Sequence, residues 1–366
     1  MKKSLMWIVG IAIILIAIIG FYVSNQNNVA NTVKIGAVMP LTGFAGYWGQ
    51  YAIKGMDLAV EDIKSDYGNE SVILLVEDDQ SDNNQAVTIA NKFVSVDQVD
   101  VLYSEFSGLS AAISPIALSN NITLMYGAFN QKIISSNPLS IKSFIDYSKA
   151  CKQYAEYAKA NGVKKIAVVN ELEDVVPYCI EEIKKEYSED NIVLFENVVD
   201  NKDYRTLLLK IKAQNVDSIL ILMVEASSTN FIKQKAELGI NAPLVCYRAN
   251  CYTQKIIETF GDTILNNTII YDVSVSDVFK EKFKEKYDLS GEDEIIPAAF
   301  AYNGLLSLFE SARLCEDSKD ATCIVNNIDS VKVKSSSFNN ASFENRRLQI
   351  YLDFYKINNG NRIKIN

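Results

Sequence analysis

From Val33 onward, short apolar runs alternate with segments of helical period, and this alternation limits the possible folds more than any other feature of the chain. Val33–Met39 (VKIGAVM) reads as a strand, and the helix after it carries Ala52, Ile53, Met56, Val60 and Ile63 on one face. Val72–Val76, Val101–Tyr103 and Thr123–Tyr126 read as further strands, separated by helices at Ala86–Val94 and Ile113–Leu118. Units of this kind bury their apolar faces in a parallel sheet with helices on both sides. The pattern restarts near Tyr147. Strands are expected at Lys165–Val169, Ile192–Phe195, Ser218–Met223 and Leu244–Val245, and helices at Cys151–Ala160, Val176–Tyr187, Tyr204–Ala213 and Thr229–Leu238. The fold class is therefore α/β, with two doubly wound parallel-sheet domains and no Pro/Gly-rich linker between them. Helical stretches at Val278–Tyr287 and Ala298–Leu314 remain, and the pattern alone assigns them to neither domain.

The 366 residues suffice for two such domains. A net charge of -9 argues against a nucleic-acid partner, which would require a basic face. The chain has no histidine, and so lacks the usual general base and the commonest zinc ligand. Carboxylate-only hydrolysis remains conceivable, with Asp78, Asp79 and Asp174 as candidates, but such residues also cap loops. The expectation is a protein that is not an enzyme and needs no metal or cofactor.

Lys2 and Lys3 precede an uncharged apolar run from Leu5 to Val23, close to the roughly 20 residues of a membrane-spanning helix. Asn28 spoils the small-x-small cleavage site that Ala30 would otherwise close, and no cysteine here could accept a lipid. The segment reads as an uncleaved signal anchor, with a cleaved signal peptide as the alternative. Residues 25–32 form a polar tether, and the remainder lies outside the cytoplasm. The six cysteines form no CxxC pair. On an exported chain they read as three disulfides. Cys246 with Cys251, and Cys315 with Cys323, would close short loops and leave Cys151 with Cys179; six buried thiols are the alternative.

Three segments carry a family resemblance: Ile35–Ala59 (IGAVMPLTGFAGYWGQYAIKGMDLA), Glu77–Val94 (EDDQSDNNQAVTIANKFV) and Lys282–Ala312. In this order they resemble the leucine/isoleucine/valine-binding proteins of ABC importers, within the type 1 periplasmic-binding family. The resemblance spans residue 33 to about 332. It implies two lobes joined by three crossovers, following the anchor and tether read above in residues 1–32. Lobe 1 would comprise 33–145 plus 273–332, and lobe 2 would comprise 146–272 plus 333–366. It also implies a small amino acid or carboxylate enclosed between the lobes and an ABC permease as partner. A sensor of the same fold, not coupled to transport, is the alternative.

In doubly wound sheets, ligands lie beyond the carboxyl ends of the strands, near free helix N–H groups. Thr42–Gly49, Ser104–Ser110 and Gly127–Gln131 are loops of that kind. The resemblance assigns roles within them. Ser107, beside Gly108, falls on a carboxylate-binding serine, and Ala128, beside Phe129, on a carbonyl that accepts from the ligand's ammonium. Asn130 replaces a threonine and Trp48 a pocket tyrosine. Ser107 could instead cap its helix, Trp48 could belong to the lobe-1 core or surface, and Asn130 could sit in an ordinary turn. Lobe 2 departs from the family pattern. Val175 and Val224 stand where the family has tyrosines, and Arg248 where it has the glutamate that faces the ammonium. Glu225 and Asp174 are the nearest replacement carboxylates. An arginine in the cleft would select a second anionic group, as on a dicarboxylate, an acidic amino acid or an aromatic acid. The alternative places Arg248 toward solvent beside the Cys246–Cys251 loop.

Overall fold

A computed structural model describes residues 32–172, 175–198, 203–333 and 336–365. The anchor expected at Leu5–Val23 and the candidate Asp174 lie outside these residues. Among the described residues, no helix is long and apolar enough to cross a membrane.

The first unit supplies β1 (Val33–Met39), β2 (Val72–Asp78), β3 (Val101–Glu105), β4 (Thr123–Gly127) and β5 (Ser140–Lys142). Its helices are α1 (Gly46–Tyr67), α2 (Asn83–Ser95), α3 (Ser107–Ser119) and the short α4 (Gln131–Ser136). The second supplies β6 (Ile166–Asn170), β7 (Ile192–Asn197), β8 (Ser218–Leu222), β9 (Leu244–Tyr247) and β10 (Ile269–Val273). Its helices are α5 (Tyr147–Ala160), α6 (Val176–Glu186), α7 (Arg205–Gln214), α8 (Glu225–Glu237), α9 (Arg248–Cys251) and α10 (Gln254–Phe260). Then come α11 (Asp277–Tyr287), α12 (Glu292–Arg313), α13 (Ala321–Asn327), and strands β11 (Ser342–Glu344), β12 (Arg347–Gln349), β13 (Leu352–Asn358) and β14 (Asn361–Lys364).

Two seven-stranded sheets result, ordered β11-β12-β5-β4-β3-β1-β2 and β14-β13-β10-β9-β8-β6-β7. The pairs within β1–β5 and within β6–β10 are parallel, as the alternation predicts. The edges are not: β11 runs antiparallel to β12, and β13 and β14 add antiparallel strands beside β10. Among the described residues the chain passes between sheets after β5, β10 and β12.

The expectation that everything after residue 333 joins lobe 2 fails for Ser342–Gln349, which extends the first sheet. The cause is specific packing. Phe343 and Leu348 are buried. The Arg346 guanidinium donates to the carbonyls of Ile134, Asn137, Pro138 and Ser140, all in the first unit. Among the sheet strands absent from the sequence reading is the central β10. It is a short run that carries a charge, Asp272, at its end, so apolar length alone does not mark it.

The leftover helices pack on the first sheet. Helix α12 is buried almost all round from Ile295 to Ala312, which explains its weak amphipathic signal. It lies so close to α1 that a Cβ on Gly55 would stand 2.0 Å from the Ala298 carbonyl oxygen. Tyr287 on α11 donates to the Lys54 carbonyl at 3.1 Å, tying that helix to α1 as well.

All three cysteine pairs are disulfides: Cys151–Cys179 joins α5 to α6, Cys246–Cys251 spans the end of β9 and α9, and Cys315–Cys323 closes a local loop before α13. Their sequence separations are 28, 5 and 8 residues. In the chain-entropy picture, the longest stabilises by about 3.6 kcal/mol and the shortest by about 2. The short Cys246–Cys251 bridge therefore matters more for holding Arg248 in place than for stability.

Candidate functional site

A cavity of about 1230 Å³ opens between the lobes. It lies at the carboxyl ends of the parallel strands, where both units place helix N-termini.

Its lobe-1 wall is built on the ends of β3 and β4. Phe106 caps α3 with φ +66°, a left-handed conformation that a bulky side chain rarely adopts. This turn sets Ser107 as the first residue of the helix, so Ser107 heads α3 rather than capping it. The N–H groups of Ser107, Gly108 and Leu109 have no intrahelical acceptor, which leaves a positive helix end on the cavity wall. The Ser107 hydroxyl accepts from the Asn130 N–H at 3.2 Å and couples the two ligand-side loops. Ala128 and Phe129 line the cavity. Asn130 does not: its side chain turns back to accept from the Lys132 N–H at 2.8 Å and caps α4, so the ordinary-turn role prevails. Trp48 lines the wall half-buried, edge-on to Phe106 and Phe144.

Behind this wall sits Glu105, fully buried, which accepts from the Tyr103 hydroxyl at 2.7 Å. Burial pushes its carboxyl up to about 8, although Tyr103 and the Trp48 indole both favour the charged form. Its second oxygen fills the space that a side chain at position 127 would need, since a Cβ on Gly127 would lie 2.2 Å away. Any side chain at position 127 would have to push the buried Glu105 carboxyl aside.

The lobe-2 wall carries Val224, Glu225, Tyr247 and Arg248. Glu225 opens α8, and its carboxylate accepts from Thr253 at 2.8 Å. Val224 faces the cavity and is 44% exposed, whereas Val175 is a core residue at 2%. Arg248 also lines the cavity, yet it is 3% exposed and its charge is engaged. Its Nε lies 2.8 Å from Asp272 and its Nη1 donates to Asp293 at 2.8 Å. Two carboxylates thus engage the cation expected for an anionic ligand, while its Nη2 has no hydrogen-bond partner among the described residues, and the solvent-facing alternative fails. Burial drives the Asp272 carboxyl up to about 6, against the pull of Arg248.

The acid pair considered for hydrolysis is used by the loops. Asp78 accepts from the N–H groups of Leu41, Thr42 and Gln80 and from the Thr42 hydroxyl. Asp79 accepts from the Ser81 N–H, and neither carboxylate lines the cavity.

A sequence profile described as periplasmic binding protein matches residues 32–361. The chain belongs to this family. Among curated relatives, Leu/Ile/Val-binding protein homolog 2 of Brucella abortus is 27% identical over 226 residues, covering 58% of this chain and 60% of that protein. The match thus spans only about 60% of the length of the first relatives. Homolog 1 from the same species is 25% identical over 301 residues, covering 77% of this chain and 78% of its own. The isoleucine complex of LivJ from Streptococcus pneumoniae superposes with TM-score 0.73 at 20% identity, over 92% of this chain and 99% of that one. LivK, a leucine-binding protein of Thermotoga maritima, gives 0.74 at 20% identity, over 91% and 98%. A Rhodopseudomonas palustris solute-binding protein in complex with 4-hydroxybenzoate gives 0.73 at 16% identity, over 92% and 96%. Beyond that family, the chain resembles Leu/Ile/Val-binding homologues in sequence and shares the fold of LivJ and LivK.

Within this periplasmic binding protein, sequence reasoning missed Glu105, Asp272 and the acidic first turn of α12. One signal for the last was visible: three consecutive acids, Glu292, Asp293 and Glu294, open a helical segment where the dipole favours negative charge. Glu105 and Asp272 end apolar strands, and nothing local distinguishes them from solvent-facing carboxylates.

Proposed function

We propose that this protein captures a neutral α-amino acid between its lobes and delivers it to an ABC permease. The observation that carries the reading is the opposition of charges across the cavity. The open end of α3 at Ser107–Leu109 suits an α-carboxylate, and the Ala128 carbonyl with the Glu225 carboxylate suits an ammonium. The engagement of Arg248 by Asp272 and Asp293 removes the reason to expect a second ligand carboxylate. The relatives named for leucine, isoleucine and valine, and the isoleucine-bound neighbour, support the same reading. Residues 5–23 would tether the protein to the membrane; release into the soluble fraction of lysed cells would count against that tether.

An aromatic carboxylate is the second reading. The ring wall of Trp48, Phe106, Phe129 and Phe144 favours it, as does the 4-hydroxybenzoate-bound neighbour. Calorimetry with isoleucine, leucine and 4-hydroxybenzoate separates the two. The wild type is expected to bind a branched amino acid, and Glu225→Gln to weaken it about 10- to 100-fold, the worth of one charge-assisted hydrogen bond. Benzoate binding unaffected by Glu225→Gln, with no binding of either amino acid, would transfer the assignment to the second reading.

A further inference from the structure

The three acids that open α12 each turn to a different part of the molecule. Glu294 accepts from the Tyr51 hydroxyl of α1 at 3.3 Å and from its own Gly291 N–H at 3.0 Å, which secures the turn to lobe 1. Asp293 takes the Arg248 guanidinium of lobe 2 at 2.8 Å. Glu292 takes Nη1 of Arg362, on β14 of the second sheet, with both oxygens at 2.6 and 2.5 Å. Asp272 joins the two arginines from below, 2.8 Å from Arg248 Nε and 3.7 Å from Arg362 Nη2. It is the penultimate residue of β10, just before the second passage between lobes.

Two arginines and an aspartate of lobe 2 therefore meet two carboxylates of a helix that is packed along lobe 1. The cluster sits against the hinge, and one of its members is shut off from solvent on each strand end that it touches: Arg248 on the β9 side and Asp272 on β10, both 3% exposed. Lobe 2 holds its own part rigidly, because Cys246–Cys251 clamps the segment that carries Arg248 and Arg362 lies over the Tyr355 ring at 4.5 Å. Two of the members, Arg248 and Asp293, line the ligand cavity, whereas Arg362 and Glu292 do not.

We propose that Glu292–Arg362 and Asp293–Arg248 form an inter-lobe brace that fixes the angle between the lobes, with Arg248 and Arg362 acting as positioning residues for ligand capture. The brace is the pivot about which the cleft closes. Arg248 then serves the geometry of closure through its Nε and Nη1. The outer pair, Glu292 and Arg362, does not line the cavity, although Glu292 also lies 3.6 Å from Arg248 Nε, so altering it removes no direct ligand contact.

The test uses the full chain with spin labels on Ser119→Cys, at the end of α3, and Gln214→Cys, at the end of α7, both on exposed positions of opposite lobes. Double electron–electron resonance reads the inter-lobe distance without ligand, so the outcome does not depend on the ligand assigned above. Arg362→Gln and Glu292→Gln are each expected to broaden the distribution and shift it to longer distances. The double variant should fall clearly short of the sum of the two, because both substitutions remove the shared Glu292–Arg362 contact and differ only in the weaker contacts to Arg248 and Asp272. Circular dichroism and the melting temperature check that the variants fold. Distributions that superimpose on the unmutated protein's, or effects of the two substitutions that add, would overturn the brace.

Discussion

Replacing Arg248 by methionine is expected to destabilise the protein by about 3–5 kcal/mol at neutral pH, the usual consequence of removing one partner of a buried ion pair. Arg248 and Asp272 are both 3% exposed and lie 2.8 Å apart, so the substitution leaves the Asp272 carboxylate buried beside Glu292 with only Arg362 near it. The penalty has a direction with pH. Burial raises the folded-state pKa of Asp272 to about 6, above its unfolded value. Native protein therefore holds a proton that the unfolded chain releases, and stability is lost as pH rises through that range. Without Arg248 the opposing charge is gone, so the pKa rises further and the loss extends to higher pH. Denaturant unfolding across the acidic to neutral range reads both effects. Adding Asp272→Asn should return much of the stability, since the charge left without its partner is then absent. An Arg248→Met protein within about 1 kcal/mol of the original would show that the pair is not desolvated as the structure has it.

Glu105→Gln is expected to act in the opposite sense and to stabilise the protein at alkaline pH. The Glu105 carboxyl is fully buried, and burial raises its pKa to about 8 from an ordinary carboxylate value near 4.5. A raised carboxyl pKa means the folded state keeps the proton, so stability is greatest below the unfolded pKa and falls as pH rises through about 8. Linkage over that span is on the order of 4–5 kcal/mol. Glutamine keeps an acceptor for the Tyr103 hydroxyl and cannot ionise. The variant should match the original near pH 5 and exceed it by a few kcal/mol above about pH 8, as read by melting temperature against pH. Parallel profiles for the two proteins would mean that Glu105 ionises without difficulty and that its burial is relieved in solution. The site should respond too, because Glu105 lies under Gly127 and behind Trp48, so its ionisation would disturb the floor on which the ligand loops rest.

Much of this architecture was legible in the residues. The short apolar runs and period-3.6 segments from Val33 to Val245 marked most of the parallel strands and their helices, because burial on both faces of a doubly wound sheet demands continuous apolar strands. The even cysteine count marked the disulfides, and the spacing of two pairs indicated the partners. Trp48, Ser107, Gly108, Ala128 and Phe129 reach the cavity on the strand-end loops that the pattern marked, whereas Glu225 and Arg248, which also line it, were indicated only by the family resemblance. What remained hidden depends on contacts between segments far apart in the chain. Ser342–Gln349 joins the first sheet because Arg346 finds four carbonyls about 200 positions earlier, a match that no local pattern encodes. Helix α12 is buried all round, so its sequence lacks the polar face that would have told which lobe it covers. The role of Arg248 was decided last of all. Its position beside the cleft followed from the sequence, but its charge state toward a ligand depends on Asp272, 24 residues on, and Asp293, 45 residues on. Coulomb energies follow distance in space, and only the folded chain sets that distance.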